Sequence, residues 1–301
     1  MLHRRHFLAT ALGALQARAG QKFDRGRLSV LTDEIGTFDE AIAFAKQYKL
    51  KWLEVRAYRP KTAAELAEMK KKLDAAGLGV SFYNAALLKF TYPGTKPVKF
   101  EDFYENLYKK DGLTPEKLFS QREADLQGAI DSAKALGVSK IRTFTYWRVA
   151  DPSSLLPQLA ETLQQMTAVA QKQGVELCVE NEHSTNTGTT AETVALLTKV
   201  PGLKLNWDPQ NSVSAGEKDV FPKGYHSLPK GVLANVQLKA EGLIGPGDPI
   251  DWQGIFRTLE KDGYSGNFGL ETHTLKGPAI NVPASHKCMQ KMLELAGERS
   301  S

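Results

Sequence analysis

The sequence predicts an α/β protein folded as a single (β/α)8 TIM barrel. Three observations predict this fold. Short apolar runs alternate with longer amphipathic segments from end to end, eight of those runs have the composition of buried strands, and 301 residues suit one barrel of about 250 residues with additions. An open, doubly wound sheet is the alternative, and eight alternations in one chain favour the closed barrel.

The predicted strands are short apolar runs that end in polar or glycine-containing segments. In chain order they are 28–31, 52–55, 79–83, 140–144, 176–180, 203–207, 232–238 and 268–270. Amphipathic patterns of helical period cover 38–48, 63–76, 122–136, 155–173, 190–199 and 282–295. Gly77, Gly137 and Gly174 follow three of these patterns directly, and glycine is common just after the end of a helix.

Residues 85–120 interrupt the alternation. This segment is rich in aromatic residues, contains Pro93, Pro97 and Pro115, and is too long for an ordinary loop. We interpret it as an elaborated connection after the third strand, suited to a lid or a subunit contact. No linker-like composition divides the remainder, so residues 20–301 are predicted to form one domain, and a homo-oligomer stays open.

The first nineteen residues have the three parts of a bacterial export signal. Arg4-Arg5 precede a short apolar stretch to Leu15, and Ala17-Arg18-Ala19 supplies a small-residue cleavage site. The arginine pair before an apolar stretch resembles a twin-arginine signal. We predict cleavage after Ala19 and a periplasmic or otherwise extracytoplasmic location. A disordered basic tail is the alternative.

Export would change the charge of the protein. Removal of Arg4, Arg5 and Arg18 lowers the formal net charge from +5 to +2, so the basic pI of about 9.0 is weak support for a nucleic-acid partner. After residue 20, no apolar run approaches the roughly 20 residues that span a bilayer. We therefore expect no nucleic-acid partner and no membrane contact after signal cleavage.

Four polar side chains stand at the ends of the last four predicted strands: Glu180, Asp208, Gln237 and Glu271. They are 28, 29 and 34 residues apart, which is about one strand–helix unit each time. Because the carboxyl ends of barrel strands meet at one face, neighbouring strands would direct these side chains to one point. Each acid taken alone is more often a surface residue, and the four together indicate a site.

Three converging carboxylates repel one another, and a cation or a proton relieves the repulsion. Carboxylate and amide oxygens are hard ligands that suit Mg²⁺ or Mn²⁺ better than zinc. The sequence therefore predicts a divalent metal at the last four strands, with these four side chains as its ligands.

Several segments carry a resemblance to a known family: Leu53-Glu54-Val55-Arg56, Glu180-Asn181, Trp207-Asp208-Pro209-x-Asn211 with Gly216-Glu217, and Glu271. They resemble the xylose isomerase-like barrel superfamily, the sugar phosphate isomerase/epimerase group, and the similarity runs from Leu28 to the last helix. The resemblance implies a metal, typically Mn²⁺, held by Glu, Asp, His and Glu at the four positions named above. Where the family usually has His-x-Lys-Asp, this chain has Gln237-Leu238-Lys239-Ala240.

The resemblance also implies a reaction on a sugar through an enediolate. Glu180 and Glu271 would lie on opposite faces of a hydroxy-ketone, one removing the α-proton and the other returning it, so that the sugar is isomerised or epimerised. The same enediolate can expel a β-leaving group, which would make the protein a lyase or dehydratase on oxidised sugars or glycosides. Because Gln237 departs from the usual histidine, a sugar-binding barrel without catalysis is a further hypothesis.

The DNA-repair endonuclease branch of the same barrel is disfavoured. That branch needs a histidine-rich zinc site, and the four histidines after the predicted signal do not supply its pattern: His183, His226, His273 and His286.

Three further residues follow the predicted ligands closely. His183 is either an alternative catalytic base or a loop histidine bonded to backbone. His273 and Lys239 each lie two residues beyond a predicted ligand, so strand alternation directs them inward as candidate substrate contacts. A solvated rim lysine is the alternative for Lys239.

Other strand ends supply further candidates for substrate binding. Glu54 and Arg56 would form a buried pair at the second strand, with structural support as the competing role. Arg142 would bind an anionic group or form a salt bridge. Asn211 and Trp207 belong to the end of the sixth strand, and Trp207 would either wall the sugar site or pack in the core.

Overall fold

Eight parallel strands form one sheet in the order β1-β8-β7-β6-β5-β4-β3-β2. They are β1 (Leu28–Val30), β2 (Trp52–Ala57), β3 (Gly79–Leu87), β4 (Lys140–Thr143), β5 (Glu176–Glu180), β6 (Lys204–Trp207), β7 (Leu233–Leu238) and β8 (Asn267–Leu270). A parallel bridge between Leu31 and Glu54 joins the end of β1 to β2. The structure, a computed structural model, describes residues 24–245, 250–274 and 278–297. The predicted (β/α)8 barrel is confirmed.

Helices connect the strands and cover the outside of the barrel. They are α1 (Phe38–Gln47), α2 (Ala63–Ala76), α3 (Asp102–Lys110), α4 (Pro115–Leu136), α5 (Pro152–Lys172), α6 (Thr190–Lys199), α7 (Pro209–Ser214), α8 (Tyr225–Ser227), α9 (Ala240–Ile244), α10 (Trp252–Lys261) and α11 (Pro278–Leu295). A 3-10 turn at Thr32–Glu34 follows β1. Gly77 and Gly137 end α2 and α4 in the left-handed conformation, as predicted.

The sequence does not predict five of the helices, α3, α7, α8, α9 and α10, of which α10 is the longest. α10 lies between β7 and β8, and Trp252, Ile255, Phe256 and Leu259 form its buried face at helical spacing. Asp251 caps its first turn by accepting a hydrogen bond from the backbone N–H of Gly254. The spacing and the cap were both visible in the sequence, and the prediction missed them.

The connection between β3 and α4 forms part of the barrel mouth. Residues 85–120 include the end of β3, all of α3 and the first turns of α4, so α4 begins earlier than predicted. The backbone N–H of Val98 donates to the carbonyl of Arg148 at 2.7 Å, which ties this connection to the loop after β4. The prediction of an elaborated connection is confirmed, while a lid or a subunit contact stays a prediction.

The inside of the barrel is polar at the carboxyl end of the strands. Ser29, Asn84, Asn206, Asn235 and Gln237 are all buried and hydrogen-bonded to one another or to buried carboxylates. Apolar strand residues point outward to the helices, as expected from the alternation of side chains along a strand. The barrel therefore carries its apolar core between sheet and helices and keeps a polar interior for a site.

The predicted export signal, residues 1–19, lies outside the described residues. Within the described part of the chain, no helix has the length and apolar character needed to cross a bilayer.

Candidate active site

Three buried carboxylates meet at the end of the barrel: Glu180 at the end of β5, Asp208 just after β6 and Glu271 just after β8. One oxygen from each lies within 4.8 Å of the others. The strands bring them together because β5, β6, β7 and β8 are consecutive neighbours in the sheet. Three of the four ligands suggested by the sequence are thus side by side.

Each of the three carboxylates has a cation of its own. Arg142 Nη1 lies 2.9 Å from Glu180 Oε2. Lys239 Nζ lies 2.9 Å from Asp208 Oδ2, and Arg56 forms a close ion pair with Glu271. All three cations are at least nine-tenths buried at their side chains. The charge of the cluster is therefore balanced by the protein itself.

The donor set fits a hard divalent cation. Asp208 Oδ2 and Glu271 Oε2 are buried and have no neutral hydrogen-bond donor within the described part of the chain. Their common charged neighbour is Lys239, whose Nζ is 4.0 Å from Glu271 Oε2. Buried carboxylate oxygens without neutral donors require a cation close by, and the three carboxylates together suit Mg²⁺ or Mn²⁺. Glu180, Asp208 and Glu271 would hold the ion.

Gln237, the suggested fourth ligand, contacts a different network. Its Nε2 donates to Glu54 Oε2 at 3.3 Å, and its Oε1 accepts from Asn235 Nδ2 at 3.2 Å. Both ends of the amide are therefore engaged by Glu54 and Asn235. Its role as a metal ligand stays a prediction that requires the side chain to turn towards Asp208.

Glu54 is a fully buried carboxylate surrounded by neutral donors. It accepts hydrogen bonds from Ser29, Asn84, Asn235 and Gln237 at 3.0 to 3.3 Å. Burial raises the pKa of Glu54, and these hydrogen bonds oppose the rise. The expected pair between Glu54 and Arg56 is therefore wrong, because Glu54 is satisfied by amides and a hydroxyl while Arg56 binds other acids.

Arg56 joins the first strand to the last. Its guanidinium lies 3.2 Å from Asp33 and 3.5 Å from Glu34, in addition to its ion pair with Glu271. Glu34 also accepts the backbone N–H of His273 at 2.9 Å. The sequence did not single out Asp33 or Glu34, although both follow directly on the first strand.

His273 lines the cavity close to Glu271. Its backbone has a positive φ of 50°, and its Nδ1 lies 3.9 Å from Glu271 Oε1. Burial lowers the pKa of His273, against the attraction of Glu271. A largely neutral imidazole at the wall can donate or accept a hydrogen bond, which suits the substrate contact that the sequence predicts for His273.

A third group of charged side chains, after the carboxylate cluster and the group around Arg56, consists of Lys89, Glu101, Glu182 and His183. His183 Nδ1 lies 2.6 Å from Glu182, and this contact raises the pKa of His183, with burial opposing. Lys89 pairs with Glu101 at 2.7 Å and lies over the ring of Phe144. The sequence did not identify Lys89, Glu101 or Glu182. Lys89 is the charged residue within the apolar run 87–90, and this isolated charge is the sequence signal that could have identified it.

Asn211 connects the carboxylate cluster to this third group. Its Nδ2 lies 3.3 Å from an oxygen of Glu180 and 3.3 Å from one of Glu182, and its Oδ1 accepts from Lys239 Nζ at 2.7 Å. It therefore positions charged side chains around the cluster. Trp207 is buried outside the cavity with its ring 5.5 Å from that of Tyr225, because alternation along β6 turns it outward. The predicted substrate contact of Trp207 is not supported.

A cavity of about 340 Å³ opens above the cluster. Glu180 and Glu271 of the carboxylate cluster line it, as do charged side chains of the group around Arg56 and of the third group. Tyr58, Phe103 and Tyr104 form an aromatic side. Phe103 packs against both tyrosines and is 55% exposed at the rim. The cavity thus has a charged floor and an apolar edge, which is the pattern of a site for a polar ligand with one less polar side.

A sequence comparison decides the family of the chain. The family model described as xylose isomerase-like TIM barrel matches residues 42–292, which includes β2 to β8 and all three carboxylates. The chain belongs to the xylose isomerase-like TIM barrel family. No curated protein matches it by sequence.

Solved structures agree with this xylose isomerase-like fold. D-psicose 3-epimerase from Clostridium cellulolyticum H10 aligns with a TM-score of 0.67 at 15% identity, over 90% of this chain and 96% of that one. The IOLI protein with a binding zinc atom gives 0.66 at 13% identity, over 91% and 99%. The probable 3-DHS dehydratase AsbF from Bacillus anthracis gives 0.62 at 14% identity, over 91% and 100%.

Two carboxyl groups of this xylose isomerase-like site, Asp208 and Glu271, differ in the direction of their pKa shifts. Burial raises the pKa of Asp208 to about 7, helped by Glu180 and Glu271 and opposed by Lys239. Burial acts in the same direction on Glu271, but Lys239 and Arg56 hold its pKa well below its usual range. Asp208 is therefore more readily protonated than Glu271, although Lys239 is a charged neighbour of both.

Proposed function

We propose that this chain is a divalent-metal-dependent isomerase or epimerase of a keto-sugar, acting through an enediolate. The observation that carries the proposal is the meeting of Glu180, Asp208 and Glu271 within 4.8 Å under a cavity of about 340 Å³. Membership of the xylose isomerase-like family and the fold shared with a D-psicose 3-epimerase support it.

The proposed metal ligands are the three carboxylates, with Gln237 as a fourth if its amide turns from Glu54. Oxygen ligands favour Mn²⁺ or Mg²⁺, with Mn²⁺ first, and a structural neighbour described with a binding zinc atom supports a divalent ion. When bound, such an ion would polarise the substrate carbonyl and stabilise negative charge on the enediolate.

Glu180 and Glu271 are the proposed proton carriers. They project from β5 and β8, so they approach a substrate from different sides, and each is held by an arginine that fixes its orientation. Arg56 holds Glu271 in the charged form, which is the form that a general base needs. His183 is an alternative base, since its ring is partly exposed and contacts Glu182.

The charge of the cavity favours an uncharged sugar over a phosphorylated one. Six carboxylates and three lysine or arginine side chains line it within the described residues. Each of those three cations is already paired with a carboxylate. A phosphate would have to displace one of these acids, whereas sugar hydroxyls can donate to them.

A lyase or dehydratase on oxidised sugars or glycosides is the second candidate. The fold shared with a probable dehydratase supports it, and the exposed ring of Phe103 would suit an aglycone at the rim. In this reaction the same residues remove the α-proton, and the electrons then expel a β-leaving group instead of returning to a proton.

We place the enzyme outside the cytoplasm, after removal of residues 1–19 through the twin-arginine route. An extracytoplasmic enzyme would meet free sugars or glycosides more often than sugar phosphates. The charge of the cavity and the N-terminal sequence thus support the same class of small-molecule substrate.

Incubation with ketoses and keto-glycosides in D₂O with Mn²⁺ tests the proposal. Deuterium on the α-carbon of a recovered sugar indicates an epimerase or isomerase, and release of water or an alcohol indicates the lyase. Glu180→Gln should abolish either signal, and Glu161→Gln, on the exposed face of α5, should not. A folded wild-type chain that is inert to all these sugars would contradict catalysis and favour a sugar-binding barrel.

A further inference from the structure

Lys239 occupies an unusual position for a lysine. Its side chain is 8% exposed, and its Nζ lies 2.9 Å from Asp208 Oδ2 and 2.7 Å from Asn211 Oδ1. The same atom is 4.0 Å from Glu271 Oε2. The ammonium therefore faces the two carboxylate oxygens that have no neutral hydrogen-bond donor within the described residues.

Charge balance shows why this position matters for a metal. Without an ion, the three carboxylates are neutralised one for one by Arg142, Lys239 and Arg56. A divalent ion bound between the carboxylates would add two positive charges within a few ångströms of a buried ammonium. Like charges at that distance in a buried site repel strongly, so one cation has to move away from the cluster.

Of the three cations, Lys239 is the one free to move. Arg142 is fixed by hydrogen bonds to the backbone carbonyls of Ala85 and Asn84. Arg56 is fixed by further ion pairs to Asp33 and Glu34. Lys239 has a flexible four-carbon chain, and its Nζ is held by the side chains of Asp208 and Asn211.

A second partner for the ammonium lies close by. Asn211 Nδ2 contacts Glu182 Oε2 at 3.3 Å, so Glu182 is one side chain away from Lys239. Glu182 is buried, with His183 Nδ1 at 2.6 Å from its Oε1 and Lys89 Nζ at 3.9 Å from its Oε2. An ammonium that leaves Asp208 can thus keep Asn211 and gain Glu182.

We propose that Lys239 is a built-in counter-ion of the metal site, and that a divalent ion displaces its ammonium from Asp208 towards Asn211 and Glu182. The inference rests on the metal site of the proposed function. It adds that the chain holds its carboxylates together without metal, and that the ion competes with a lysine for Asp208.

Calorimetric titration of the chelator-treated full chain with Mn²⁺ alone tests the competition. Lys239→Met should lower the Kd for Mn²⁺ by about tenfold or more, because the ion no longer displaces a charge. Lys89→Met removes another buried lysine, which lines the cavity and pairs with Glu101 instead, and it should change the Kd by less than about threefold. Equal effects of the two variants, or weaker binding by Lys239→Met, would overturn the proposal.

A crystal structure of the wild-type chain with Mn²⁺ gives a second test that does not depend on a folded variant. The proposal predicts the Lys239 ammonium near Glu182 and off Asp208. An ion held by the three carboxylates with Lys239 still 2.9 Å from Asp208 would contradict it. Sugar conversion is measured separately. If the wild-type chain converts no sugar while Lys239→Met still binds Mn²⁺ more tightly, the proposed reaction is refuted and the counter-ion proposal stands.

Discussion

The carboxylate of Glu54 fills the space that a side chain at position 269 would need. A Cβ built on Gly269 would overlap Glu54 Oε1. Glu54 lies on β2 and Gly269 on β8, so the glycine lets a buried carboxylate cross the barrel interior. Glycine weakens the middle of a strand, and it often marks a place where another group approaches the backbone closely. The approach of Glu54 therefore explains the glycine at position 269.

Gly269→Ala should therefore destabilise the fold by overpacking. The backbone of Gly269 lies outside the left-handed region, so the added methyl group acts through the contact with Glu54 and not through φ. We expect a loss of about 1–3 kcal/mol in the free energy of unfolding, measured by urea denaturation. A change below about 0.5 kcal/mol would show that Glu54 moves aside without cost.

Arg142→Met should destabilise the chain by leaving Glu180 charged, buried and without its partner. Breaking a buried ion pair in this way costs about 3–5 kcal/mol, which urea denaturation can measure. Lys70→Met is the matched control, because the pair of Lys70 with Asp74 is exposed and its loss costs less than about 1 kcal/mol. Similar losses in the two variants would mean that the buried pair of Arg142 with Glu180 does not stabilise the fold more than an exposed pair.

Phe103→Ala should affect substrates that reach the rim of the cavity. Contact of an aryl group with this ring gives about 0.5–1.5 kcal/mol, so KM for an aryl keto-glycoside should rise roughly two- to tenfold with kcat unchanged. Val98→Ala truncates a similarly exposed apolar residue of the same connection outside the cavity lining, and it should leave KM unchanged. Equal KM values for wild type and Phe103→Ala with every glycoside tested would remove the ring from the substrate site.

Replacement of both Arg4 and Arg5 by lysine should retain the protein in the cytoplasm with its N-terminus uncut. The twin-arginine route depends on the arginine pair, while the general charge of the segment is unchanged. Cell fractionation with N-terminal sequencing of both forms checks this. Export of the lysine variant, or a wild type that keeps residues 1–19, would contradict the proposed route.

The sequence predicted the barrel and the convergence of its carboxylates for one physical reason. Strands of a (β/α)8 barrel repeat at regular intervals and end on one face, so Glu180, Asp208 and Glu271 could be placed together from spacing alone. The sequence predicts either an anion site or a salt bridge for Arg142, and the structure shows the salt bridge to Glu180.

Other parts of the site depend on contacts that spacing does not encode. Lys89 and Glu101 belong to the long connection after β3, whose path over the mouth follows from its own packing. Gln237 faces inward as predicted, but its rotamer, set by Glu54 and Asn235, decides which network it joins. Asp33 and Glu34 enter the site through a 3-10 turn that the strand pattern did not indicate.

The central claim is that the three carboxylates form one site for a divalent ion, and the metal content of Asp208→Asn tests it most directly. Asparagine keeps the N-cap of α7, where Asp208 accepts the backbone N–H of Asn211 at 2.9 Å, so the fold should survive. After loading with Mn²⁺ and gel filtration, elemental analysis should find about one ion per wild-type chain and almost none in the variant. A wild type without metal, or a variant that retains it fully, would contradict the account.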